Sequence, residues 1–178
     1  MNKEQFWEVI AQARDRAITP HDSEAIAREA TSLLAARPVE EIITAEEVLW
    51  DLMVESYTNP LWAAAYIVND GCSDDGFDYF RGWLIAQGRE VFERVVADPD
   101  ALAKLPVVQG AAAAGSDLDG EGMLVIAWNA HITAAGDRLP PDTLTICYPQ
   151  LDPAWNFDFS DSDEMARRLP RLAALFLE

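Results

Sequence analysis

Apolar residues return every three or four positions through most of this chain, the period of helices that bury one face. Phe6, Ile10, Ala13 and Ala17 define a first helix. Ile26, Ala30, Leu33 and Leu34 define a second, which opens after the turn Thr19-Pro20-His21-Asp22. Pro38 ends the second. A third, from Thr44 to Tyr57, sets Ala45, Val48, Leu49, Leu52 and Met53 opposite the acidic row Glu47, Asp51 and Glu55. Asn59-Pro60 is a start signal, with Asn capping free amides and Pro filling the first turn. The following LWAAAYIVND is apolar on nearly all sides, which predicts a central buried helix.

Gly71 supplies a left-handed stop, and Ser73, Asp74 and Asp75 offer oxygens to cap the next helix, so the two form a tight αα corner. That next helix is the longest expected. It runs from Asp75 to Val96 on a stripe that includes Phe77, Phe80, Leu84, Ile85, Phe92 and Val95, and it stops at Asp98-Pro99. A short turn spans Ala101 to Leu105, and residues 107–116 read as an Ala- and Gly-rich connector. Asp119 to Ala135 predicts a further helix with Leu124, Val125, Trp128 and Ile132 inward and Gly136 just past its end. Pro140, Pro141, Pro149 and Pro153 mark an irregular connector in which residues 143–148 alternate like one short strand. Asp161, Asp163 and Glu164 open a last helix, docked through Leu169, Leu172, Leu175 and Phe176. The expectation is a mainly α protein, a single domain over residues 1–178, built as a bundle of about six to eight helices.

Composition narrows the functional classes. A chain of 178 residues with half of them hydrophobic can bury a core of its own. Its 13 Lys and Arg stand against 31 Asp and Glu, a formal net charge of -18. Such a surface repels phosphate backbones and anionic bilayers, so neither nucleic acid nor membrane is an expected partner, whereas a basic protein or a cation is favoured. The two cysteines, Cys72 and Cys147, form no disulfide framework or zinc pattern, which fits a reducing cytoplasm. The segment MNKEQFWEVIAQARDRA has no continuous apolar run of the kind that secretory signals carry. With only His21 and His131, histidine-rich metal sites and histidine triads are hard to assemble.

Three stretches carry a resemblance. FW near the N-terminus, LWAAAYIVNDGCSDDGFDYFRGWLIAQGREVFE followed by DPDAL, and LPRLAALF near the C-terminus are similar to the bacterial domain-of-unknown-function 4240 (DUF4240) family. The resemblance extends over essentially the whole chain, loosely from Val107 to Asp158. It implies a small, mainly α cytoplasmic protein, and it brings no activity, substrate or cofactor with it.

The chemistry of the signature residues therefore rests on their physical placement. At 100° per residue, Arg81 falls among Phe77, Phe80, Leu84, Ile85 and Gly88, inside the apolar stripe. A guanidinium facing the core requires a carboxylate, and Asp78, Asp51 and Glu55 are the candidates. The pair is either architectural or a clamp for an anionic ligand. Asp74, Asp75 and Asp78 crowd the first helical turn, where they serve as caps and dipole compensation or, alternatively, hold a hard cation. They fit no calcium-loop register, so no metal is assigned. Cys72 and Ser73 precede the same helix, where the dipole can activate a thiol, although a small buried Cys is the plainer reading. Trp62, Tyr66, Phe80 and Trp83 line either a pocket or the core. No phosphate loop, dinucleotide fingerprint or nucleophile elbow is present. The leading expectation is a non-enzymatic binding or accessory module for a basic protein partner. The alternative is a metal-assisted or acid/base hydrolase using Asp74, Asp75 and Asp78 with Arg81.

Overall fold

Helices predominate in the computed structural model, which describes residues 1–19, 21–140 and 147–177 and shows no strand among them. The first four, α1 (Lys3–Arg16), α2 (Ser23–Ala35), α3 (Val39–Glu55) and α4 (Asn59–Val68), follow the apolar periodicity closely. Asn2 and Gln5 close a reciprocal capping box on α1, and the Asp22 carboxylate accepts from the amides of Glu24 and Ala25 at the start of α2. On α4 the cap is Thr58 rather than Asn59, whose side chain instead donates to the Asp152 carbonyl at 2.9 Å. Helix α3 begins five residues before the expected Thr44, directly after Pro38.

The long helix expected from Asp75 to Val96 is two. Helix α5 (Asp74–Ala86) ends at Gly88, whose φ of 88° lies in the left-handed region, and α6 (Arg89–Ala97) restarts at once. Arg14 of α1 reaches into this break and donates to the Gln87 carbonyl. A short 3₁₀ turn, Pro99–Lys104, leads to α7 (Pro106–Ala114), where a connector was expected. Pro106 sits in the first turn and Gly115 closes the helix at φ 59°, the Pro-in, Gly-out pattern that brackets a helix.

The predicted helix from Asp119 begins as a 3₁₀ turn, Glu121–Val125, before α8 (Ile126–Ala135). A 3₁₀ turn advances 120° per residue instead of 100°, so the face that turns inward is not the one expected. Met123, Ile126, Ala127, Ala130 and His131 are buried, while Val125, Trp128 and Ile132 are 37–40% exposed. His131 is buried with Nδ1 at 2.8 Å from the Asp137 carbonyl oxygen. Of the candidate strand at 143–148, residues 143–146 lie outside the described residues, and Cys147 and Tyr148 are irregular chain. The last expected helix is also two, α9 (Ser162–Arg168) and α10 (Pro170–Phe176), broken at Pro170. The expected bundle of fewer, longer helices thus becomes ten among the described residues.

Helix α5 is the hub, packing against α2, α3, α4 and α6. Phe77, Phe80, Leu84 and Ile85 are fully buried on it, each contributing about 1.5–3 kcal/mol through loss of apolar surface from water. Two segments singled out by the family resemblance meet here: the DPDAL turn holds the LPRLAALF helix. Asp100, only 5% exposed, accepts from the backbone amides of Arg171 and Leu172 at 2.9–3.1 Å and from Arg171 Nε at 2.7 Å. Arg171 Nη2 reaches Asp98 at 2.7 Å. Because Asp100 is the acceptor for the otherwise free amides of α10, Asp100→Ala is expected to cost about 2 kcal/mol in urea denaturation. Asp98→Ala, which removes only a solvent-exposed ion pair, is expected to cost under about 0.5 kcal/mol.

Candidate functional site

The corner between α4 and α5 is built as its residues dictate. Ser73 caps α5 by accepting from the Gly76 amide at 3.1 Å, and Asp74 and Asp75 stand exposed in the first turn, facing the positive end of the helix dipole. Neither aspartate has a hydrogen bond or ion pair among the described residues. Asp78, one turn on, is committed to Arg81.

Arg81 is fully buried, and each arm of its guanidinium is used. Nη2 pairs with Asp78 Oδ1, Nη1 donates to the Met53 carbonyl in the last turn of α3, and Nε donates to the Phe77 carbonyl at 3.3 Å. The rings of Phe77, Tyr57 and Tyr148 lie 4.6, 5.2 and 5.5 Å from its central carbon. Trp62 stacks on Phe77 at 4.8 Å, and its indole N–H donates to the Cys72 carbonyl at 3.1 Å. The result is a cation sealed in an aromatic box, with its charge spread over one carboxylate and two helix carbonyls. Tyr57 and Tyr148 were missed as its neighbours. Tyr57 lies just past α3, and Tyr148 comes from distant irregular chain with no periodicity to place it.

The remaining candidates separate. Asp51 and Glu47 lie exposed on the outer face of α3, and Glu55 pairs with Lys3 at 2.6 Å, so the acidic row does not converge on Asp74 or Asp78. Among the described residues, no three His, Cys, Asp or Glu side chains gather closely enough to hold a metal ion. Burial pushes the Cys72 thiol up to about 11, with Arg81 pulling it down and Asp78 pushing it up by smaller amounts. The position ahead of α5 therefore does not activate Cys72, because desolvation outweighs the pull of the Arg81 charge. Phe80 and Trp83 belong to the core, whereas Tyr66 lines a cavity.

A second carboxylate group emerges at Tyr79, on α5. Its hydroxyl is held above the ordinary tyrosine value by the charge of Glu121 first, then by desolvation, by Asp75, by a hydrogen bond with Glu121 and by Asp119. Every charge that moves it is negative. The loop bearing Asp119 is fixed against the corner by Asn69, whose side chain accepts from the Leu118 amide at 2.9 Å and donates to the Leu118 carbonyl at 3.2 Å.

One buried acid lies elsewhere. Glu46 of α3 is 6% exposed; Oε1 accepts from Trp50 Nε1 at 3.1 Å, and Oε2 has no partner among the described residues. Burial raises its pKa, and the Trp50 hydrogen bond offsets this in part. A carboxyl whose folded-state pKa is raised contributes stability below its unfolded value and loses it as pH rises through the folded value. Glu46→Gln is therefore expected to match the parent protein near pH 4 and to unfold at a higher temperature at pH 8. Equal melting-temperature differences at both pH values would refute this.

The family described as "Protein of unknown function (DUF4240)" matches residues 1–132. The chain belongs to the DUF4240 family. The matched span includes the aromatic box except Tyr148, and the Tyr79 group entirely, but it stops inside α8, so LPRLAALF falls outside it. No curated protein and no solved structure matches the chain. Among the described residues no helix is long and apolar enough to cross a membrane.

Proposed function

We propose that this DUF4240 member is an intracellular binding module that docks a basic protein partner on the acidic face around Tyr79. The observation that carries the reading is that Asp119 and Glu121 flank Gly120, whose amide donates to the Tyr79 carbonyl at 3.1 Å, while Asp75 lies one turn before Tyr79 on α5, so three exposed carboxylates share this face. Elsewhere, among the described residues, eight of the thirteen Lys and Arg are taken up in ion pairs within the chain. Lys3, Arg37, Arg81, Arg89, Arg94, Arg167, Arg168 and Arg171 are so engaged, which leaves the carboxylate excess behind the net charge of -18 to act outward. A field of one sign steers an oppositely charged partner and sets its orientation. The hydrolase alternative has less support, because Asp78 is engaged by Arg81 and the guanidinium faces the interior.

Binding of a fluorescent Arg- and Lys-rich helical peptide, followed by anisotropy across a salt series, tests the reading. Affinity is expected to fall with salt and to drop about tenfold in Asp75→Asn/Asp119→Asn/Glu121→Gln. A control with the exposed Glu8, Asp15 and Glu47 neutralised should change it less than about threefold. Equal losses in the two variants would reduce the effect to overall charge and sink the proposed face.

A further inference from the structure

A cavity of about 210 Å³ opens between the C-terminal turn of α4 and the start of α9. Tyr66, Ile67 and Asp70 form one wall, and Phe159, Ser162 and Met165 form the other. The rings of Tyr66 and Phe159 meet edge to face at 6.0 Å. The first wall lies within the family span and the second beyond it.

Asp70, Ser160 and Ser162 stand exposed at the mouth of this cavity, and Tyr66 is half-buried. Ser160, also on its rim, donates its hydroxyl to Asp158 at 2.8 Å. The Tyr66 hydroxyl, the Ser162 hydroxyl and the Asp70 carboxylate make no hydrogen bond among the described residues. All three can accept, and one of them is an anion. The wall that bears Asp70 is also the carbonyl end of a ten-residue helix, which carries partial negative charge. No Lys or Arg lines the cavity. Aromatic faces, an apolar floor of Ile67 and Met165, and a carboxylate beside two hydroxyls with no cationic side chain in the lining together match one ligand class.

We propose that this cavity binds a small primary ammonium ion carrying a short apolar substituent, with the N–H groups directed to Asp70, Tyr66 and Ser162 and the substituent held between Phe159 and Met165. A carboxylate ligand would face repulsion from Asp70, and a neutral alcohol would leave that charge uncompensated. Three free acceptors favour a protonated primary amine over a quaternary one, which has no N–H to offer. This inference is separate from docking at Tyr79 and stands whether or not that reading holds.

Asp70→Asn is a clean test, because Asp70 is at φ 49° and Asn tolerates the left-handed region as well as Asp does. Butylamine and phenethylamine would be titrated into the protein against butanol and butyrate, with backbone amide shifts recorded by NMR. Saturable shifts at Ile67, Asp70 and Met165 are expected for the amines alone. Asp70→Asn should weaken them about tenfold, while Glu47→Gln, on an exposed face of α3, should leave them unchanged. The proposal is overturned if butanol binds as tightly as butylamine, if Asp70→Asn binds the amines unchanged, or if no saturable shift appears at these three residues.

Discussion

Gly120→Ala is expected to lower the unfolding free energy by about 3 kcal/mol, at the upper end of what overpacking usually costs. The added Cβ would lie 2.3 Å from the Trp83 nitrogen, 2.7 Å from its Cα and 2.8 Å from the Gly82 carbonyl carbon, all of them backbone of α5. Backbone inside a packed helix cannot move aside as a flexible side chain can. Gly82→Ala fails for the reciprocal reason, since its Cβ would meet the Gly120 carbonyl oxygen at 2.5 Å. The two glycines let the 117–120 loop lie directly on α5, where the Gly120 amide donates to the Tyr79 carbonyl at 3.1 Å. Both substitutions should lower the urea midpoint, and the double variant should lose less than the sum, because one displacement of the loop relieves both clashes. Gly110→Ala in α7 is the control. Nothing lies within 4 Å of its Cβ, so the helix propensity of Ala should stabilise the protein by up to about 1 kcal/mol. A neutral Gly120→Ala would mean that the loop does not rest on α5. It would also loosen the placement of Asp119 and Glu121 beside Tyr79.

How far the sequence could be read depended on whether the deciding signal was local. Helices α1 to α4 were legible because their apolar spacing lies within the segment itself, although α3 starts earlier than expected and α4 is capped by Thr58. The Ser73 cap of α5 was legible for the same local reason. The breaks at Gly88 and Pro170 were visible as residues, yet the apolar stripe runs on through Gly88 and periodicity alone favoured continuity. What secures the first break is Arg14, far away in sequence, bonded to the Gln87 carbonyl. The inward face of α8 was misjudged because one 3₁₀ turn rotates all that follows it. The hold of Asp100 on Arg171, the Gly82–Gly120 contact and the closure of Tyr148 over Arg81 are tertiary pairings between segments separated by tens of residues, and no spacing rule encodes them. Of the candidate site, the Asp78 partner of Arg81 was among those expected, one turn away on the same helix. Tyr79 gave no sign, since its acidic neighbours Asp119 and Glu121 arrive from another loop.

Arg81→Ala is expected to cost about 4 kcal/mol, within the range for removing one partner of a buried ion pair. The loss has three parts: the Met53 and Phe77 carbonyls lose the guanidinium as a second donor, with Met53 keeping the Ser56 hydroxyl at 3.2 Å, the three rings lose the cation, and a large side chain leaves a cavity at the hub of the fold. The Met53 carbonyl belongs to the last turn of α3, where carbonyls lack helical partners, so Arg81 also fixes α3 to α5 and places a positive charge at the negative end of α3. Arg81→Met separates volume from hydrogen bonding. It fills most of the cavity and should recover roughly half of the loss, about 2 kcal/mol. Arg81→Lys should do no better, because a single ammonium cannot serve Met53, Phe77 and Asp78 with the geometry of a planar fork. Asp78→Asn should cost only about 1 kcal/mol, since the Asp78 side chain is 32% exposed and Asn retains an acceptor for Nη2. Urea unfolding followed by tryptophan fluorescence ranks the four variants. If Arg81→Met equalled the parent protein in stability while Arg81→Ala did not, Arg81 would count as filler rather than as a tie between helices, and the charge at this position would need a purpose other than architecture.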